Sequence, residues 1–224
     1  MRHGVDHDRF SRLVEHVVPG AELCSVEALP GGVSARVTVV GVRYPDGQSQ
    51  RLVVREYGAG DLHRNPDVAA HEFRVLQVVR SAGVPAPEPY YLDQTGALLG
   101  TPLIVIDYVD GQTGLASADL DRALPPLAET LARIHSVDVA AADLSFLPSQ
   151  ERTVAEMLAR RPATLDDSLD EPRIRDVLEA VWPLPQRNQP VLLHGDYWPG
   201  NTLWRDDRLV AVIDWEDVAP GDPL

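Results

Sequence analysis

The chain has no lysine: all 20 of its Lys and Arg positions are arginine. Any mechanism that demands a lysine is therefore excluded, or must run on a guanidinium that stays permanently charged. Cysteine is almost absent too. Cys24 stands alone and cannot form an internal disulfide, which points to a reducing cytoplasm. Its place in an apolar-polar alternation predicts a small buried residue. No apolar run approaches the roughly 18 residues of a membrane helix, and "MRHGVDHDRF" lacks the apolar core of a signal peptide. No membrane partner is expected. Positive charge is scarce as well. A net charge of −14 argues against nucleic acid, whose phosphates require basic patches. It suits a cationic small substrate, or serves solubility alone.

What is present fits an ordinary globular chain of 224 residues, 44% apolar and 24% charged, long enough for a core in one domain or two small lobes. "HDRFSRLVEHVV" (7–18) has helical spacing and ends at Pro19-Gly20. The period then changes to two: "AELCSVEAL", "ARVTVVGVRY" and "SQRLVVREY" are strand candidates, the last two joined by the turn "YPDGQ". Residues 66–82 predict a helix, "VPAPEPYYLD" extended chain, and "TPLIVIDYVDG" a buried strand. Helical spacing follows through Leu120, Leu124, Leu127, Leu131 and Ile134, with Pro125-Pro126 marking a break or a start. Two more helices are expected near 151–162 and 171–182. "PVLLHGD" and "NTLWRDDRLVAVIDW" return to short strands, the second a hairpin about Asp206-Asp207. Strands and helices segregate, which predicts an α+β fold in two lobes, 1–109 and 110–224.

The chemistry concentrates in "HGDYWPGNTLW" (194–204) and "VIDWED". Asp196 and Asp214 supply carboxylates and Asn201 a neutral oxygen, each preceded by apolar residues. A hard cation such as Mg²⁺ takes one or two carboxylates plus substrate phosphates. A carboxylate kept off the metal can accept a proton from a hydroxyl nucleophile. Asp base, metal Asn and metal Asp are the recurring division of labour in phosphoryl transfer. Asp and Asn also decorate turns, but not usually together behind two strands. Other chemistries fit less well. His194 has no second histidine at zinc-binding spacing, the extra histidines of a metallophosphoesterase are missing, and no Gly-x-Ser-x-Gly elbow stands in the chain.

"LLHGDYWPGNTLW" with "VAVIDWEDVAPGDPL" resembles the catalytic and metal-binding motifs of the aminoglycoside phosphotransferase and choline kinase family, relatives of protein kinases. The resemblance implies a kinase-like fold with a β-rich N-lobe and a mostly helical C-lobe. It implies Asp196 as catalytic base, His194 orienting the catalytic loop, and Asn201 and Asp214 as Mg²⁺ ligands. In "LPGGVSAR", Gly31, Gly32 and Ser34 stand where a phosphate-covering loop belongs. Arg55 occupies the place of the usual lysine on the third strand, with Glu72 on the next helix as its partner. The backbone from Asp107 to Val109 stands where the purine is read, leaving ATP or GTP open. Asp222 would anchor the last loop to the C-lobe. Family members continue beyond this point with helices that build the acceptor pocket, so acceptor binding is expected to be incomplete here. The implied function is transfer of a nucleotide γ-phosphate to a small-molecule hydroxyl acceptor; the alternative is a nucleotide-binding module without catalysis. A protein kinase is disfavoured, since "HGD" replaces His-Arg-Asp and no activation segment follows Asp214. Glu216 and Asp217, beside Asp214, suit an amine-bearing acceptor, or are solvated loop charges.

Overall fold

The computed structural model describes residues 7–29, 35–114 and 120–223. Five antiparallel strands form the first layer: β1 (Glu22–Leu29), β2 (Ala35–Arg43), β3 (Ser49–Tyr57), β4 (Pro89–Asp93) and β5 (Leu103–Asp107), in the order β1-β2-β3-β5-β4. Alternation decides which element covers each face. Leu52, Val54, Leu103 and Val105 point to one side, where α1 (His7–Val17) packs Phe10, Leu13 and Val14 against them. Burying each such side chain is worth about 1.5–3 kcal/mol. Arg9 fastens this helix from the sheet end, donating to the Leu99 carbonyl at 2.5 Å and to Glu56 at 3.4 Å.

On the other face lies α3 (Val68–Ser81), reached through the short α2 (Ala59–Arg64). Val75, Leu76 and Val79 of α3 share one continuous core with Tyr57, Ile104 and Ile106 of the sheet. The same core takes in Ile134, Leu144, Leu192, Val212 and Trp215, so the β-rich and helical halves are packed together. The helical half contains α4 (Leu120–His135), α5 (Gln150–Ala159) and α6 (Glu171–Val181). Pro125 and Pro126 lie inside α4 rather than at its start. They remove two backbone donors from that turn, and the helix continues through them.

Two small sheets complete the second half. β6 (Gln112–Thr113) pairs with β8 (Thr202–Arg205), which pairs with β9 (Arg208–Val212); β7 (Val191–Leu193) pairs with β10 (Ala219–Gly221). The β8–β9 hairpin turns at Asp206 and Asp207, both at positive φ, the geometry that matches the twist of a two-residue hairpin loop. Asp222 accepts hydrogen bonds from the backbone N–H groups of Arg187 and Asn188 at 2.6 and 2.9 Å and from Asn188 Nδ2 at 2.8 Å. It thus ties the segment after β10 to the loop before β7.

Cys24 corrects its sequence reading: it is exposed. β1 is an edge strand whose register shifts between Leu23 and Ser25, so the simple alternation that would have buried the thiol is interrupted there.

Candidate active site

β7 delivers His194 into the core, and the chain then turns outward. His194 is 2% exposed, and its ring lies 4.5 Å from that of Trp215. Its Nδ1 accepts the Asp196 N–H at 3.3 Å, which assigns the proton to Nε2, 3.1 Å from the Ile213 carbonyl. Burial holds its pKa below the ordinary 6.5, while the Ile213 carbonyl and the charges of Asp214 and Asp196 offset part of that shift. A neutral imidazole therefore bridges the two acidic segments. Gly195 has φ +87°, and a Cβ there would stand 2.3 Å from the Asp217 carbonyl oxygen. Only glycine fits this crossing.

Asp196 faces solvent. Asn201, in the short 3₁₀ turn Pro199–Asn201, donates from Nδ2 to the Asp196 carboxylate at 2.8 Å and to its carbonyl at 3.0 Å. With the amide nitrogen committed, Asn201 Oδ1 is the atom left to act as a ligand. The Asn201 carbonyl accepts the Ile213 N–H at 3.0 Å, so the loop is also bonded to the end of β9. Asp214 comes next, in the left-handed region at φ +69°. For a residue other than glycine this conformation carries strain, and such strain gathers at functional sites.

Arg55 reaches this centre from β3. It is only 8% exposed, and its Nη2 lies 3.0 Å from Asp214 Oδ1, 3.2 Å from Glu216 Oε2 and 3.5 Å from Glu72 Oε2. Its buried Nε has no protein partner. Burial disfavours the guanidinium charge, but Glu72, Tyr57 and Asp214 outweigh it, and the pKa rises above the ordinary value. Glu72 is 2% exposed, and burial pushes its carboxyl upward against the pull of Arg55 and of the Tyr57 hydroxyl, which donates to Oε2 at 2.5 Å.

A second charged group borders the loop. Arg64 of α2 donates to Asp61 at 2.7 Å. Partial burial raises the pKa of Asp217; Arg64 opposes this, and Asp214, Asp196 and Asp61 add to it. Asp196, Asp214 and Asp217 thus form an electronegative rim.

Among the described residues no three His, Cys, Asp or Glu side chains form a metal cage. The donor chemistry of Asn201 Oδ1 and Asp214 fits a hard cation that draws its other oxygens from phosphates and water. Gly31, Gly32 and Ser34 lie outside the described residues. At the end of β5 the Asp107 N–H is spent on Glu88 O, and just beyond it the Tyr108 N–H on Arg51 O, at 2.8 and 3.3 Å.

Sequence reading missed two members of this centre. Tyr57 follows Arg55 by two positions on β3, so period two places both on one face, a signal that was legible. Glu216 was read as facing an acceptor or solvent; instead its side chain, 12% exposed, turns inward onto Arg55.

Comparison with known proteins agrees with this architecture. The model of the phosphotransferase enzyme family (APH) matches residues 25–224. Acyl-CoA dehydrogenase family member 10 of Mus musculus is 26% identical over 191 residues, which are 78% of this chain and 18% of that protein. The chain thus spans less than a fifth of that relative. Macrolide 2′-phosphotransferase MphH from Brachybacterium faecium, solved as the apoenzyme, superposes with a TM-score of 0.68 at 26% identity, over 96% of this chain and 74% of that one. A thermostable mutant of aminoglycoside phosphotransferase APH(4)-Ia, solved in a ternary complex with AMP-PNP and hygromycin B, gives 0.69 at 18% identity, over 95% and 72% of the two chains. At that identity it shows the shared kinase-like fold.

Proposed function

The chain belongs to the phosphotransferase enzyme family, and from that premise we propose that it transfers the γ-phosphoryl group of ATP to a hydroxyl of a small molecule. The observation that carries this reading is the convergence of Arg55 on Asp214 at 3.0 Å beside the Asn201–Asp196 pair at 2.8 Å, from segments distant in sequence. The acceptor hydroxyl gives its proton to Asp196 as its oxygen bonds to the γ-phosphorus, and the bond from that phosphorus to the departing ADP oxygen breaks. Arg55, held by Glu72, directs its remaining N–H donors to the nucleotide phosphates. Asn201 and Asp214 would hold Mg²⁺, which supplies charge neutralisation for the phosphates. Neutral His194 keeps the Asp196 backbone in place. The solvent-facing acids Asp196 and Asp217 favour an acceptor that carries an amine.

The test is the melting temperature with ATP or GTP, with and without Mg²⁺, for wild type and Asp214→Asn. A ligand at about 100 times its Kd adds ~2.7 kcal/mol to the folded state. A Mg²⁺-dependent rise that the variant loses supports the assignment and opens a screen of hydroxyl acceptors. No rise with either nucleotide overturns it.

A further inference from the structure

Arg55 presents an unusual distribution of contacts. All three of its carboxylate partners meet one nitrogen, Nη2, while the buried Nε has none. The guanidinium is thereby held to the protein's carboxylates through a single nitrogen. If Asp214 is drawn onto a cation, Nη2 loses its shortest contact. Glu72 at 3.5 Å is the more distant of the two partners that remain. Glu216 at 3.2 Å is nearer, and at 12% exposed it is well shielded from water.

Resting on the nucleotide-binding reading above, we propose that Glu216 is a positioning residue for Arg55: it keeps Nη2 anchored while Asp214 serves the metal, so that the guanidinium stays in place beside the nucleotide phosphates. Chain geometry separates the two carboxylates' tasks. Asp214 sits at φ +69°, which turns the backbone so that Trp215 enters the core while Asp214 and Glu216 both reach Arg55. Asp214 retains 35% side-chain exposure toward the site, whereas Glu216 is largely enclosed. A charge-assisted bond to an enclosed carboxylate is worth more than one in water, and a pre-placed guanidinium loses less freedom when phosphate arrives.

The experiment compares wild type, Glu216→Gln, Glu216→Asp and Asp214→Asn. Two titrations are followed by thermal shift: ATP at saturating Mn²⁺, and Mn²⁺ at saturating ATP. A positioning role predicts that Glu216→Gln weakens ATP binding about tenfold, the scale of one charge-assisted bond. The Mn²⁺ concentration at half-saturation should then stay within about twofold of wild type. Glu216→Asp, which keeps the charge on a shorter arm, should recover part of the loss. If Glu216→Gln fails to fold, the same ordering is read from Glu216→Asp against wild type. Unchanged ATP affinity in both variants overturns the proposal. So does a Mn²⁺ dependence displaced as in Asp214→Asn, which would make Glu216 a metal ligand. A wild type that shows no ATP shift at all overturns the nucleotide reading itself, and is told apart by that control.

Discussion

Arg55 Nη2 donates to Asp214 Oδ1 at 3.0 Å across 159 positions of sequence, joining the middle strand of the large sheet to the end of the small hairpin. Removing one side of a buried ionic cluster leaves its partners uncompensated, at a cost of about 3–5 kcal/mol. Arg55→Met should lose that much in urea denaturation, chiefly because Glu72 is 2% exposed. Arg55→Lys keeps the charge and should lose less, but its ammonium sits on an arm of different length and cannot take the place of Nη2 unchanged. Equal losses in the two variants would show that the charge contributes nothing.

Tyr57→Phe tests the support behind that cluster. Its hydroxyl donates to Glu72 at 2.5 Å, and a hydrogen bond to a charged group is worth about 1.5–3 kcal/mol. The variant should melt lower and bind ATP more weakly, since Glu72 is then freer to turn from Arg55. Unaltered stability by calorimetry would remove Tyr57 from the site.

Asp196→Asn should fold normally, because the side chain faces solvent and an amide oxygen can still accept from Asn201. Turnover should fall by about 10²–10⁴, the scale of a lost general base. Steady-state assays at saturating ATP, once an acceptor is found, decide this. A loss confined to nucleotide KM would place Asp196 outside proton transfer.

Gly195→Ala and Gly47→Ala form a matched pair, both at φ +87°. Nothing stands within 4 Å of a Cβ at Gly47, whereas one at Gly195 meets the Asp217 carbonyl oxygen at 2.3 Å. Each carries the left-handed penalty, roughly 1–2 kcal/mol. Only Gly195→Ala should go beyond it, displacing Asp217 and lowering activity. Equal melting temperatures in the two variants would contradict the crossing.

His194 sets a pH dependence. Its folded pKa lies below 6.5, the value it regains on unfolding, so the unfolded chain binds more protons as pH falls. The stability it confers is complete well above 6.5 and drains away as pH drops through that value toward the lower folded pKa. His71 and His135 are shifted down by burial and act in the same direction. Denaturation between about pH 5 and 8 should show this slope, and His194→Asn should flatten part of it. A slope identical in the variant would mean His194 titrates as it does in water.

Long periodic segments were readable from sequence because one physical cause governs each of them. β2 and β3 alternate because one face meets α1 and the other α3, and α3 repeats its apolar residues because it lies on the sheet. Short elements were not legible. β6 has two residues, β10 contains Pro220, and both exist only through pairing with distant strands. The six-residue α2 is fixed by Asp61 accepting the Gly58 N–H at 3.1 Å, a local bond with no periodic signature. In the active centre, residue types announced Asp196, Asn201 and Asp214. Glu216 could not be placed, because its direction depends on a positive φ at Asp214 that spacing does not reveal.

β7, the strand that leads into His194 and Asp196, has a single neighbour in its sheet, β10, and Asp222 then ties the chain back to residues 187 and 188. During synthesis on a ribosome, β7 therefore emerges with nothing to pair with until residues 219–222 have followed it out. A nascent chain can thus form its large sheet before the loop that carries His194 and Asp196 is held in place.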